Sequence, residues 1–414
     1  MPRALPSAGD IRSYLTPFDF FTRYVGSGRE GEIYVDVHAQ RFRETLAALD
    51  DVPDGARVLE LGAVPYYLTI LVGRHLGAQV DPLSFYEVEQ AAHTVHEVTS
   101  AATGERHRFD YRALNVERDL FPVAPASYDL VLCCEILEHL LINPSHMLYE
   151  AHQALRPGGR LLVTTPNVAR WANLAALAEG RNINDRYHGN GMYGRHNREY
   201  TLAEVTRLVE ACGFAIERAE TRDVYPRAGE PGAAAVPGLE RLNGHSREDT
   251  IFVLARAEGE ARMACPDELY VLMDEYRNVL RADVRMGVNE IGHIGSGWYE
   301  LEREGQQGCR WSSGRAHVLL SRVPGSALRI AARSHHPDVY ARPIVVSAEV
   351  NGVHAGEHTI ATHDWQDLSF SLDHVSTTDP LHCVLLVDRT WRPSDVSGDD
   401  ARELGVRVSH IWIE

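Results

Sequence analysis

The chain has 414 residues, more than one ordinary domain, and two domains are the natural reading. A hydrophobic content of 44% is enough for a sizeable core, and the lack of any uninterrupted apolar stretch of spanning length reads as a soluble chain with no membrane span. A net charge of −17 without a run of Lys and Arg argues against a nucleic-acid partner and leaves a small charged substrate open.

The opening MPRALPSAGDIRSYL lacks the basic-then-apolar layout of a signal peptide. Cys133, Cys134, Cys212, Cys265, Cys309 and Cys383 are scattered and offer neither a disulfide framework nor a CxxC pair for zinc. A reducing cytoplasm is the expected location.

Residues 1–50 read as an amphipathic helical lid ahead of the core, carrying Tyr14, Phe18, Phe20, Phe21, Tyr24 and Tyr34. From Ala56 strands and helices alternate. Strands are expected at Arg57–Leu61, Ala78–Asp81, Arg108–Leu114, Ser127–Cys134, Arg160–Thr165, Phe214–Ala219 and Asp249–Ala255. Helices are expected at Leu68–Leu76, Ile136–Leu155 and Thr201–Cys212, with a turn at Arg156–Gly159. Such alternation implies an α/β domain over 51–257 whose mainly parallel sheet is covered on both faces.

A polar joint at Glu258–Arg262 and one helix over Pro266–Arg281 make 258–284 a linker. Beyond it HVLLSRV, SALRIAARS, IVVSAEVNG, HTIATHDWQDLSFSL, HCVLLVD and GVRVSHIWIE are short runs between Gly, Pro, Asn and Asp. They predict an antiparallel β-sandwich over 285–414.

The chemistry concentrates in CCEILEHL. Glu135, Glu138 and His139 follow the apolar run Tyr128–Cys134, and the pattern Ile136, Leu137, Leu140, Leu141 predicts a helix beginning at once. At i, i+3 and i+4 the three side chains would share one helical face, at the carboxyl end of a strand where open α/β sheets hold ligands. Two carboxylates and an imidazole make half a site for a hard cation, which a distant His would complete. His196 in GRHNREYT is that candidate.

Val58-Leu-Glu-Leu-Gly62, Arg156-Pro-Gly-Gly159 and Gly213-Phe214 resemble the class I S-adenosylmethionine-dependent methyltransferases over roughly 40–255. The resemblance implies a Rossmann-like sheet, with the antiparallel sandwich appended outside it. Glu60 and Gly62 would face the methionine part of the cofactor, with Ala63 and Cys134 beside them. Asp81 is the nearest candidate for the ribose acid, with Glu87 and Glu89 as alternatives. Asn115 and Val116 take the adenine position, although 115–117 would equally suit a solvated loop. The chain departs from the family in GAVPYYLT, where Val64 and Tyr66 replace the second and third glycines.

Within the superfamily, Glu-x-x-Glu-His after the fourth strand resembles the small-RNA 2′-O-methyltransferases and the ubiquinone-type O-methyltransferases. In the former, the last ligand lies in a segment H-x-x-E-aromatic-T, and His196-Asn-Arg-Glu-Tyr-Thr201 has that form. The resemblance implies Glu135, Glu138, His139 and His196 as ligands of a divalent metal, Mg²⁺ first, with Mn²⁺, Fe²⁺ or Zn²⁺ as alternatives. The plain alternative is a His that caps or packs after the strand.

Glu135, His139 and His188 are the expected catalytic groups, His188 as proton acceptor. Arg41, Asn167 of Thr165-Pro-Asn167, and Arg195 are expected at the substrate. The C-terminal half, with Trp298, Trp311 and Trp391, is similar to sandwich modules of bacterial surface-polysaccharide assembly. It would bind sugar or serve dimerisation, and its Trp residues equally suit a core.

The expected activity is a metal-assisted O-methylation of a sugar or glycoconjugate hydroxyl. Two other readings stand beside it: a metal-free methyltransferase of a phenol, amine or natural product, and a catalytically silent carbohydrate-binding protein.

Overall fold

The computed structural model describes residues 4–84, 93–112, 114–141, 144–186, 193–225, 246–264, 266, 269–270, 280–375 and 380–414. These divide into two compact units. The first takes the residues up to 84, residues 93–112 and the described part of 122–270. The second takes 114–121 and the described part of 271–414. Most of the expected linker helix lies outside the described residues.

The first unit opens with helices α1 (Ala8–Leu15) and α2 (Gly28–Ala48), each started by a serine capping box, Ser7 with Asp10 and Ser27 with Glu30. Ile11, Leu15, Val35, Ala39, Phe42 and Leu46 enter one core with Val58, Leu71 and Leu132. The expected lid is therefore part of the core.

The central sheet contains β1 (Arg57–Leu61), β2 (Gln79–Leu83), β5 (Tyr128–Cys134), β6 (Leu155–Pro166), β7 (Phe214–Arg222) and β8 (Thr250–Ala257). Their order is β2-β1-β5-β6-β8-β7. β2, β1, β5 and β6 are parallel, and β8 runs against both β6 and β7. Four of the five residues of β1 and five of the seven of β5 are buried, as expected for strands covered on both faces. The chain leaves β1 toward β2 on one side while β5 lies on the other, which opens a crevice at their carboxyl ends.

Helices α3 (Tyr67–Leu76), α4 (Pro144–Ala154), α5 (Trp171–Ala178) and α6 (Leu202–Ala211) complete the unit. Thr201 and Glu204 cap α6 as a box, so the expected helix at 201–212 forms with its start fixed locally.

Two expectations are corrected. After β5 there is only a 3₁₀ turn, Leu137–His139, and the helix starts at Pro144. The strand expected at 108–114 is β4 (Arg106–Arg112), which pairs with β3 (His93–Thr99) in a two-stranded antiparallel hairpin outside the main sheet. With Arg, His and Asp alternating with aromatics, it has one polar face and is unsuited to a doubly covered position.

The second unit is an antiparallel sandwich. One sheet joins β10 (Trp298–Glu304), β11 (Gln307–Ser312), β18 (Arg407–Ile413), β13 (Ala327–Arg333) and β16 (Gln366–Ser371), with β9 (Asp283–Arg285) on β18. The other joins β12 (Arg315–Leu320), β17 (Leu381–Val387), β14 (Ile344–Val350) and β15 (Val353–Ile360). Both sheets feed one core that includes Val318, Ile330, Val346, Phe370, Leu385 and Ile411. Trp311 is 5% exposed and donates to Glu302, and Trp298 donates to the carbonyl of His317 at 2.7 Å, so both indoles serve the sandwich itself.

Candidate functional site

An open cavity sits at the carboxyl end of β1. Glu60, Gly62, Ala63 and Cys134 line it, together with Tyr34, Arg41, Phe42 and Thr45 from α2. Four of the residues expected at the cofactor are thus brought together, and Arg41, expected at the substrate, joins them.

Glu60 is 4% exposed and accepts a 2.6 Å hydrogen bond from Thr69. Burial pushes its carboxyl up to about 8 in spite of that bond. Gly62 has φ +68°, and a Cβ there would fall 1.9 Å from Cδ1 of Ile136. The glycine is needed for the turn and for Ile136.

The departure at Tyr66 also has a physical account. Tyr66 adopts φ +67°, is 1% exposed, bonds Nδ1 of His96 at 2.8 Å and stacks on Phe109 at 4.3 Å. The loop is pinned by an aromatic anchor to the β3–β4 hairpin.

Three other expected cofactor residues are not among those that line the cavity. Asp81 is exposed in mid-strand, paired with Leu59, and accepts from Arg57 and Tyr128. Asn115 and Val116 group with the second unit, and Asn115, Val116 and Glu117 are all buried. Asn115 Oδ1 accepts from the Glu117 amide and its own amide donates to Asp119, so this is a packed turn and no solvated loop. Glu87, Glu89 and His188 lie outside the described residues.

The expected four-ligand set separates into one acid and a trio. Glu135 has φ +57°, which no helix accommodates, and its side chain turns to α2 and β6. Thr164 donates to Oε1 at 2.9 Å, Tyr225 to Oε2 at 3.2 Å, and Arg41 pairs with Oε2 at 3.4 Å. Glu138, His139 and His196 instead converge, with one ligand atom of each lying within 4.8 Å of the others.

Glu138 is completely buried. Thr165 donates to its Oε2 at 2.8 Å, while Oε1 has no hydrogen-bond partner among the described residues and faces His139 Nε2 at 3.8 Å. A buried acceptor left unmade costs about 1–3 kcal/mol, and more when charged.

Both imidazoles commit Nδ1 outward, that of His139 to the carbonyl of Arg195 at 3.0 Å and that of His196 to Glu199 at 3.1 Å. With Nδ1 protonated in each, Nε2 is left as the free lone pair, the tautomer a metal ligand needs. Burial alone would raise Glu199, but hydrogen bonds from His196 and Arg170 outweigh it and hold the carboxyl at about 2.

The distant segment is placed by Asn197. Its amide donates to the carbonyl of Glu138 at 2.7 Å and its side chain to that of His139 at 2.8 Å. Asn197, Thr165, Glu199 and Tyr225 were not anticipated. Glu199 and Thr165 had a signal, since they stand within the H-x-x-E and Thr-Pro-Asn segments themselves.

The remaining expected substrate residues do other work. Asn167 is buried and spends its amide on the carbonyls of Ser246 and Glu248. Arg195 bonds Asn197 and supplies the carbonyl that orients His139.

Residues 34–219, somewhat under half of the chain, match the family described as a methyltransferase domain. A ubiquinone biosynthesis O-methyltransferase of Xanthomonas euvesicatoria pv. vesicatoria is 34% identical over 113 residues, 27% of this chain and 44% of that protein. A probable S-adenosylmethionine-dependent methyltransferase of Mycolicibacterium smegmatis is 33% identical over 134 residues, 32% of this chain and 45% of that protein. The chain spans under half the length of the curated relatives it matches.

Among solved structures, an S-adenosylmethionine-dependent methyltransferase from Mesorhizobium loti is similar, with TM-score 0.35 and 19% identity, covering 51% of this chain and 96% of its own. The part of this chain that is similar to a methyltransferase domain holds β1, β2, β5 and β6 of the Rossmann-like sheet described above.

Proposed function

We propose that the chain transfers a methyl group from S-adenosylmethionine to a hydroxyl oxygen of a sugar or glycoconjugate, assisted by a divalent cation held by Glu138, His139 and His196. The carrying observation is the buried, unpartnered Oε1 of Glu138 beside two imidazoles whose other nitrogens are already tied. The similarity to O-methyltransferases supports oxygen as the accepting atom.

The cavity fits the cofactor's methionine part. Arg41 Nε is buried without an acceptor among the described residues and suits a carboxylate, while the buried acid of Glu60 suits an ammonium. Glu135 pairs with Arg41 and is itself held by the Tyr225 hydroxyl. A cation bound at the trio would lower the pKa of an acceptor hydroxyl and orient it. Glu199 and the Arg195 carbonyl fix the two rings, so the ligand geometry is set before any substrate arrives.

Elemental analysis should find a divalent metal in the wild-type protein and little in Glu138→Ala. Methyl transfer to a panel of nucleotide sugars and oligosaccharides should fall by roughly a hundredfold or more in that variant. Calorimetry with S-adenosylhomocysteine should still show wild-type affinity. Full turnover in EDTA would remove the cation from this reading.

A second reading rests on the same atom. Without a cation, Glu138 Oε1 is the free buried acceptor for the proton of a phenol or amine, and chelators would then leave activity unchanged.

A further inference from the structure

The second unit carries a ring cluster that its own packing does not require. Three loops meet at one end of the sandwich: 334–343 between β13 and β14, 361–365 between β15 and β16, and 388–392 after β17. Tyr340 is 67% exposed, although it lies between two rigid strands. Its ring meets His363 edge-on at 5.0 Å, His363 meets His335 at 5.9 Å, and His335 meets the buried Trp311 at 5.4 Å. A ladder of perpendicular rings thus runs from the core to an open aromatic face.

Polar groups stand beside it in fixed positions. Arg389 donates to Asp338 at 2.8 Å and to the His336 ring, and His336 in turn pairs with Asp338 at 2.6 Å. The His363 ring is held by the carbonyl of Ser334 at 2.9 Å.

We propose that this loop end is a saccharide-binding site, with Tyr340 and His363 as the stacking surface and Asp338 and Arg389 as hydroxyl partners.

The chemistry selects the ligand. The site is an open ledge, so its ligand keeps one side in water, which disfavours a small apolar molecule that needs enclosure. A pyranose offers an apolar C–H face to a ring and hydroxyls at its edge. The three loops carry Asp338, Asp364 and Asp388 against Arg342, Arg389 and Arg392, so the ledge shows no surplus of one charge. A neutral sugar suits it better than a phosphate backbone, which needs uncompensated cations. The inference does not depend on methyl transfer and would stand without it.

The test titrates the full chain with disaccharides of gluco, galacto, manno and N-acetylglucosamine configuration, up to about 10 mM, a range that captures weak binding. Saturable heat is expected with at least one of them. Tyr340→Ala and His363→Ala should each weaken it by about tenfold, the loss of one ring contact, while Tyr340→Phe keeps it. Arg181→Ala, an exposed position in the other unit, should leave it unchanged. Absence of saturable binding with all four would overturn the proposal. So would affinity unaltered in both alanine variants, or tighter binding of a sulfated polysaccharide than of any neutral probe.

Discussion

The ends of β1 and β5 lie side by side in the sheet, and both turn through the left-handed region, Gly62 at φ +68° and Glu135 at φ +57°. They reach that conformation for opposite reasons. At Gly62 a missing side chain makes room for Ile136. At Glu135 a full side chain is held in a backbone region that L-residues seldom occupy, because Arg41, Thr164 and Tyr225 all bind its carboxylate. One turn is permissive and the other is fastened, and only the fastened one ties α2 to the crevice.

Glu135→Ala should give the largest effect. It leaves Arg41, whose side chain is 8% exposed, without its carboxylate, and breaking a buried pair costs about 3–5 kcal/mol. Denaturant unfolding would measure it, and a loss under 1 kcal/mol would mean that the turn holds without its fastening.

Gly62→Ala should cost about 2 kcal/mol through overlap and strain, with S-adenosylhomocysteine affinity falling in parallel. Ile136→Ala in the same chain should return part of it, as a double-mutant cycle would report. No coupling between the two sites would contradict the view of Gly62 as space for Ile136.

Tyr225→Phe removes one of the three bonds to Glu135 and should cost about 1 kcal/mol.

A further test is a pH dependence, read as a slope. Burial holds the Glu60 carboxyl up to about 8, so the folded chain keeps a proton that the unfolded chain has already lost above the ordinary carboxylate range. The unfolded state then binds fewer protons, and this group's contribution to stability falls as pH rises from about 4.5 toward 8, by at most about 1.4 kcal/mol per unit. The slope of unfolding free energy against pH should flatten in Glu60→Gln by that share.

Much of this architecture was legible because local rules agreed with the global fold. The buried runs of β1 and β5, the capping box at Thr201 and the alternation in β13 and β14 each follow from their own residues. The apolar spacing after Glu135 misled, because Pro144 fixes a helix start there and a helix does not run through a proline from the preceding residues.

Side-chain direction at the two acids was not legible either. It depends on the dihedral of Glu135 and on Asn197, whose bonds to residues 138 and 139 join segments far apart in sequence. Asp81 shows the same limit, since strand register decides whether an acid ends at the crevice or, as here, against Arg57. At Tyr66 the departure from the glycine pattern is an aromatic anchor whose partners, His96 and Phe109, stand on a separate hairpin.

That anchor has a further consequence. Phe20, ahead of α2, meets Tyr66 edge-on at 5.8 Å, and His96 on the hairpin holds its hydroxyl. Whatever grips the Gly62 loop is therefore felt by the amino-terminal arm and by the hairpin, although neither lines the cavity. A chain trimmed ahead of α2 would forfeit ligand grip along with its missing residues, and amide protons of the β3–β4 pair would exchange more slowly once the cavity is filled.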